Sequence, residues 1–530
     1  MITLLLWIAL VAPARVQAAQ TNAALEYRTL DGLNLDLWMD GFWKDPAELG
    51  ATPAKYKDAI SAAYSPSDSV SDFYQKLLGL ELNRRYTKPE GYRRLVGALM
   101  AVRRDLRPPK RRDFSIVEPS EELKQALLLL EVLTEETIYA ASIRFPETAE
   151  KDWTAQYEKI SDELCSYDGK RGRTATYRGI KFCQGDVIIS KEDSLFSSFA
   201  ARMITLPQLF SHASVAYVRY SDAGRRLQLL ETNGQDHGVK LRDPADTYKD
   251  VARFFVYRAR ASDPGQRREY LRSAITGADR YMTVITQMSG GDPVNKVSFL
   301  FDFYYRPADP KEQYCSEVAY DVYNRGGLTG AKNPYPAELW NTFDNPPDSP
   351  DFWKKASGVE AGTFHDASDV DLNPNFDLIS YTIDPKRVSR ERIDTAISDV
   401  AFAFIKDDTS GVRARYLESL SGIGDRGITP GDIAALRATR LFPDLMVDNI
   451  AKRVRPGPNL KMALFYIVID QMLGSAREGS LRSRMIAADA KAVAVTGRPL
   501  GLIALRREAA AVMRKDLESF LKNWEKRRKG

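Results

Sequence analysis

The chain has 530 residues, of which 44% are hydrophobic and 28% charged, and its formal net charge is +5. That balance is globular and argues against a disordered or fibrous chain; so slight a positive excess points to no nucleic-acid partner. With 3 His in all, a compact zinc site would need nearly every one, and His212, His237 and His365 are too widely spaced, so no metal or cofactor is expected.

The first eighteen residues, MITLLLWIALVAPARVQA, carry an apolar run from Ile2 to Val11 and end in the small-x-small site Val16-Gln17-Ala18. They read as a secretory leader, residues 1–18, although the usual Lys or Arg before the run is missing. An uncleaved anchor is the weaker reading because the run is short, and Glu131 interrupts the later apolar stretch ALLLLEVLTEE. The expected mature chain is exported, periplasmic or secreted, with room for about three domains of roughly 150 residues.

Residues 19–165 read as a mainly helical N-terminal domain. Leu123, Leu127, Leu130 and Ile138 recur near helical spacing, and Pro146 ends the run. Ahead of them RRDLRPPKRRD reads as an exposed, solvated connector. Residues 166–332 change pattern: CQGDVIIS, HASVAYVRY and RLQLLET are short and β-rich, followed by a helix from Asp263 to Met288, the aromatic VSFLFDFYY, and a helix around Cys315. Residues 333–384, with prolines through position 350, read as a linker or flap. Residues 385–530 read as a C-terminal helical domain. Ser389 is its expected first cap, ahead of an apolar face of Ile393, Ile397, Val400, Ala401 and Phe404. Thr429-Pro430-Gly431-Asp432 starts another helix, and Met513, Leu517, Phe520, Leu521 and Trp524 align on a last one before EKRRKG. The fold class is α+β, an antiparallel sheet packed on a cysteine-bearing helix and flanked by helical domains.

Three cysteines in an exported chain allow one disulfide and a free thiol, with Cys165 and Cys183 the economical pair, or free buried thiols instead. A nucleophilic cysteine needs its thiolate, which a helix N-terminus and a neighbouring imidazolium both favour. Cys315 stands near the start of SEVAYDVYN, which ends at Gly326-Gly327. Asp309-Pro310 could start that helix earlier and weaken the effect. By itself, a cysteine in such a place is most often an inert buried thiol.

His212 opens HASVAYVRY, where its imidazole would project at the sheet edge; the alternative is a hydrogen-bonded core histidine. His237 and His365 lie in polar contexts and read as surface residues. A turn over Ser221–Gly224 folds RLQLLET back, setting Glu231 opposite His212 or one diagonal step away. A carboxylate there would fix the tautomer of the imidazole and support its charged form. The alternative for Glu231 is a solvated strand-end acid, and Asn233 and Asp236 are reserves for the role.

In order, GDVIIS, FSHASVAYV, LLETNGQDHGV and FDFYYRPADPKEQYCSEVAYDVY resemble the blocks of the circularly permuted papain-like amidases of the YiiX type. These are relatives of the NlpC-like cell-wall hydrolases and of lecithin–retinol acyltransferase. The histidine precedes the cysteine, as in the permuted branch, and the resemblance spans roughly residues 172–326. It implies a permuted papain-like core with Cys315 as nucleophile, His212 as base, Glu231 as orienting acid, and Gly185-Asp186 opening the first core strand. One departure is Ser214, where the family usually has glycine. The implied chemistry is hydrolysis of an amide or ester through an acyl-enzyme, with the Cys315 backbone N–H and Tyr314 as oxyanion donors. A cell-wall peptide or a lipid-type substrate fits. An acyltransferase or thioesterase with the same triad stays open, as does a non-catalytic papain-like binding module. The basic C-terminal tail is open to peripheral membrane contact or to being the frayed end of a packed helix.

Overall fold

A hairpin sets the register of the central sheet. In the computed structural model Ser221 pairs with Gly224 and Val215 with Leu230, so the histidine strand and the glutamate strand run antiparallel from one tight turn. The structure describes residues 30, 33–44, 46–47, 52–107, 119–166, 172–193, 195–202, 209–221, 224–233, 238–260, 264–301, 312–329, 333–334, 351, 365–406, 481–513 and 515.

Four main helices come first: α1 (Pro53–Ala63), α2 (Val70–Gly79), α3 (Pro89–Leu106) and α4 (Glu121–Arg144). Thr52, Ser69 and Ser120 cap α1, α2 and α4 by accepting a backbone N–H three residues on, which satisfies one of the orphan donors of each first turn. The strands are β1 (Trp153–Gln156), β2 (Thr174–Tyr177), β3 (Ile180–Cys183), β4 (Val187–Glu192), β5 (His212–Ser221), β6 (Gly224–Asn233), β7 (Gly238–Arg242) and β8 (Val251–Ala259). Then follow α5 (Pro264–Met288), the two-residue strands β9 (Leu300–Phe301) and β10 (Glu312–Gln313), and α6 (Cys315–Arg325). Last come β11 (Phe376–Ile383), α7 (Pro385–Lys406) and α8 (Leu481–Thr496).

One sheet of nine strands runs β10-β9-β7-β6-β5-β4-β8-β11-β1, with β2 and β3 forming a separate hairpin. The seven strands from β7 to β1 are antiparallel throughout. Alternation divides their side chains between two layers. Val187, Ile189, Ala213, Val215 and Phe255 pack with Val318, Ala319 and Val322 of α6 and with the helical layer. Ile188, Ala216, Val218 and Leu229 pack instead with Phe182 of the β2–β3 hairpin and with Tyr248. The α+β class therefore stands as expected.

The expected boundaries at 165 and 333 cut across this sheet. β1 lies in the segment read as helical and β11 in the segment read as linker, yet β11 pairs with β8 and β1 pairs with β11. What makes them strands is edge pairing, β11 on the open side of β8 and β1 in turn on β11. Ser389 is not the cap of α7: Asp384 accepts the N–H groups of Lys386 and Arg387, and Pro385 takes the first helical position. Ile393, Ile397, Val400 and Ala401 are buried as expected. RRDLRPPKRRD is not solvated at its start. Arg103 is inside α3 on Glu131 and Asp371, and Arg107 donates to the carbonyl oxygens of Val370, Asp371 and Asn373. The leader 1–18, positions 108–113, most of the proline-rich segment, the 429–432 helix start, Leu517, Phe520, Leu521, Trp524 and the basic tail lie outside the described residues, as does the side chain of Phe404.

Buried charge joins the helices to the sheet. Arg253 of β8 meets Glu131 and Glu135 of α4 and Glu391 of α7, and Lys191 of β4 lies 3.3 Å from Glu391. Burial pushes the Glu135 carboxyl up to about 8 although Arg253 lies against it. Replacing Arg253 by Ala removes the main countercharge of Glu135 and one of the partners of Glu131 and Glu391. Breaking a buried pair in this way costs about 3–5 kcal/mol, and urea denaturation should show a lowered midpoint with an unchanged slope.

Candidate active site

Cys315 is the first residue of α6, directly after Tyr314, and its thiol is half-buried and free. The helix does not begin at Asp309-Pro310, because β10 occupies residues 312–313. The entry to α6 is anchored at Gln313: its carbonyl accepts from Thr232 of β6, its amide oxygen accepts from the Tyr281 hydroxyl, and its amide N–H donates to Asp321. Two glycines let α6 sit close. A Cβ on Gly277 of α5 would meet the Val322 carbonyl oxygen at 1.9 Å, so only glycine allows the two helices this approach. Gly185, at φ +88°, turns the chain ahead of β4, and its carbonyl accepts the Tyr323 hydroxyl of α6. Asp186 beside it is paired with Arg258 through two 2.8 Å contacts. The Gly185-Asp186 step thus fastens the cysteine helix to the start of β4.

His212 stands at the end of an interior strand, not at a sheet edge, because β5 lies between β4 and β6. It pairs with Ser190. Alternation places its side chain on the layer of Ser214, Ala216 and Val218, opposite the layer that α6 covers. Only at the strand's terminal position can the imidazole serve both layers. Its Nε2 lies 3.0 Å from Glu231 Oε2, and the Cys315 thiol is near enough to act on its protonation. Since Glu231 occupies Nε2, Nδ1 is the ring nitrogen left for a thiol.

Burial opposes a charged His212. The hydrogen bonds to Cys315 and Glu231, together with the Glu231 charge, outweigh it and hold the imidazolium well above its usual range. Glu231 lies one diagonal step from His212, as the hairpin register predicts, and its side chain is 0% exposed. Its other oxygen, Oε1, accepts from Thr247 Oγ1 at 2.9 Å and lies 3.2 Å from Arg242 Nε. As the first helical residue, Cys315 has a backbone N–H with no intrahelical acceptor, which suits it to a developing oxyanion. The departure at Ser214 is accommodated by Tyr248, whose hydroxyl lies 3.4 Å from the serine Oγ in the buried layer.

Other expected residues sit elsewhere. Tyr314, read as an oxyanion helper, is buried, and its hydroxyl accepts the His365 backbone N–H at 2.9 Å. His365 is not a surface residue. It stacks on Tyr320 of α6 at 4.6 Å between ring centroids, and burial pushes its pKa down to about 3. Asn233 ends β6 with its side chain outside the described set, and Asp236 and His237 also lie outside it. Cys165 and Cys183 form a disulfide, which the sequence left open against free thiols, with Cα atoms 5.6 Å apart. Sequence reasoning missed Thr247, Arg242 and Glu192. Arg242 had a legible signal, since it stands one diagonal step from Glu231 across β6 and β7. Among the described residues no group of three or more His, Cys, Asp or Glu could hold a metal ion, and no helix is long and apolar enough to cross a membrane.

No family model, curated protein or solved structure matches the chain.

The His365 shift carries a sign. In the folded chain this ring stays neutral down to about pH 3, whereas unfolded it takes a proton near pH 6.5. The unfolded state therefore binds more protons in that window, and stability is lost as pH falls from about 6.5 toward 3. His365→Phe, which keeps the stack on Tyr320, should flatten the fall in melting temperature over that range relative to the native chain.

Proposed function

We propose that the chain is an exported cysteine hydrolase with a permuted papain-like core, acting through Cys315, His212 and Glu231 on an amide or ester of the cell envelope. The observation that carries this reading is the Glu231–His212 hydrogen bond beside a thiol at a helix start that acts on the same ring. Three residues far apart in the chain meet there in the order a thiol hydrolase requires. The block order behind the YiiX-type resemblance supports the same core, and the helical segments around it act as its flanks. The Cys165–Cys183 bridge favours an oxidising compartment such as the periplasm or the exterior.

In this mechanism His212 takes the thiol proton and the Cys315 sulfur attacks the carbonyl carbon. The tetrahedral oxyanion faces the Cys315 backbone N–H. The carbon–nitrogen or carbon–oxygen bond then breaks, and the imidazolium gives its proton to the leaving amine or alcohol. His212 next deprotonates a water, which attacks the thioester and releases the acid and the free thiol. Glu231 keeps the ring in one tautomer and balances its charge throughout. The substrate is a cell-wall peptide or an acyl lipid.

The test is iodoacetamide alkylation of Cys315 in the folded chain at pH 6, followed by turnover on a panel of peptide amides and acyl esters. His212→Ala should slow alkylation about tenfold or more, and Cys315→Ser should abolish turnover without loss of fold. Equal alkylation in the native chain and in His212→Ala would sink the triad and leave a papain-like binding module. Product appearing on an added amine or alcohol, in place of the free acid, would make the enzyme an acyltransferase.

A further inference from the structure

The base of this site is itself held from behind. Arg242 on β7, Glu231 on β6 and His212 on β5 form a diagonal row across three neighbouring strands, and Cys315 on α6 closes it. The register explains the row. Glu231 pairs with Lys240, so Arg242, two residues on, points to the same face at diagonal reach. Directly after β7, Asp243 caps the short helix Pro244–Thr247, and that turn brings the Thr247 hydroxyl onto Glu231.

Both new partners use the same carboxylate oxygen. Thr247 donates to Oε1 at 2.9 Å and Arg242 Nε lies 3.2 Å from it, while Oε2 is left to His212 at 3.0 Å. A carboxylate held on one oxygen cannot rotate that oxygen away, so the direction of the other is fixed toward the ring. The guanidinium also answers the charge of a side chain that is 0% exposed, where an uncompensated carboxylate would be costly.

We propose that Arg242 and Thr247 are positioning residues that clamp Oε1 of Glu231, aiming Oε2 at His212, and that Arg242 tempers how strongly Glu231 retains the proton on the imidazole. The inference rests on the triad reading above. The charged groups around the ring come from several elements: Cys315 from α6 and Glu231 from β6 act on His212 itself, Arg242 of β7 lies against Glu231, and Glu192 of β4 feels His212, Glu231, Arg242 and Asp250. Lys240 is the register partner of Glu231 on β7. Arg242 brings positive charge to this cluster, and Glu192 and Asp250 add negative charge. Removing Arg242 alone leaves the surroundings more negative, so the imidazolium should persist to higher pH.

The readout is the ratio of Cys315 alkylation rates with iodoacetate and iodoacetamide across pH in the full chain. The anionic reagent gains from a charged imidazole, so the ratio falls where His212 loses its proton. Arg242→Met should move that fall upward by about one pH unit, and Arg242→Lys should return it close to the native position. Thr247→Val should slow alkylation about fivefold at constant charge, with Thr247→Ser restoring it. An unmoved fall in Arg242→Met overturns the role of Arg242, and equal rates in Thr247→Val and Thr247→Ser overturn the clamp. Should Arg242→Met not fold, Arg242→Lys decides: its fixed charge without the fork should keep the position of the fall, and a displaced fall refutes the charge role. His212→Ala run alongside separates the two levels. If it leaves both rates unchanged, the triad reading fails; if it slows them while the other variants behave as native, this inference alone fails.

Discussion

The guanidinium of Arg253 is the interaction around which the rest of the molecule is arranged. It projects from the sheet into the buried layer beneath the helices, where an unanswered charge would be prohibitive. Carboxylates of two helices, Glu131 and Glu135 on α4 and Glu391 on α7, answer it from above. Glu131 is shared in turn with Arg103 of α3, and Arg103 reaches Asp371 between β11 and the cysteine helix. A sheet strand, three helices and the chain at Asp371 are therefore tied through one set of shared buried charges. Burial in oily surroundings is non-directional, but this network is not. It admits one placement of α4 and α7 over β8, and with it one position for the layer in which α6 must also fit.

The site depends on that fixed layer because its parts come from opposite faces of the sheet. Cys315 belongs to a helix covering one face, while Glu231, Thr247 and Tyr248 belong to the other. His212 joins them because it is the last residue of its strand at the end where β5 meets Ser190 of β4. A shift of α6 by a fraction of its rise per residue would part the thiol from the ring. Gly277, Gln313 and the Tyr323–Gly185 bond each limit that shift by a different means: close backbone approach, a hydrogen-bonded entry, and a tether to the start of β4.

The hairpin and the placement of His212 and Glu231 on it were legible in the sequence because each rested on a local rule. Alternation named the strands, Ser221–Gly224 set the turn, and the turn set Glu231 within one diagonal step of His212. What escaped needed the tertiary fold. Phe376–Ile383 follows a proline-rich run and reads as an extension of it until the free edge of β8 is known. Charged residues on an apolar helix look like its solvated side, yet Glu131, which interrupts the apolar run of α4, lies at the centre of the buried network. His365 has no local pattern at all; the aromatic ring it needs comes from α6, tens of residues earlier. Arg242 and Thr247 were within reach of the register argument, which stopped at the first carboxylate.

The two strands beyond β8 enter the sheet from opposite directions along the chain, β1 ahead of the histidine strand and β11 behind the cysteine helix. Nothing between residues 166 and 332 can therefore be lifted out whole: cutting there exposes the flank of β8, a ready template for pairing with another chain. For inheritance, this makes the segment between them a poor unit of shuffling. A gene fusion or duplication that broke inside its flanks would yield an aggregating fragment, whereas additions before β1 or after β11 leave these pairings intact. Diversification of such a fold is thereby channelled into its loops and its ends.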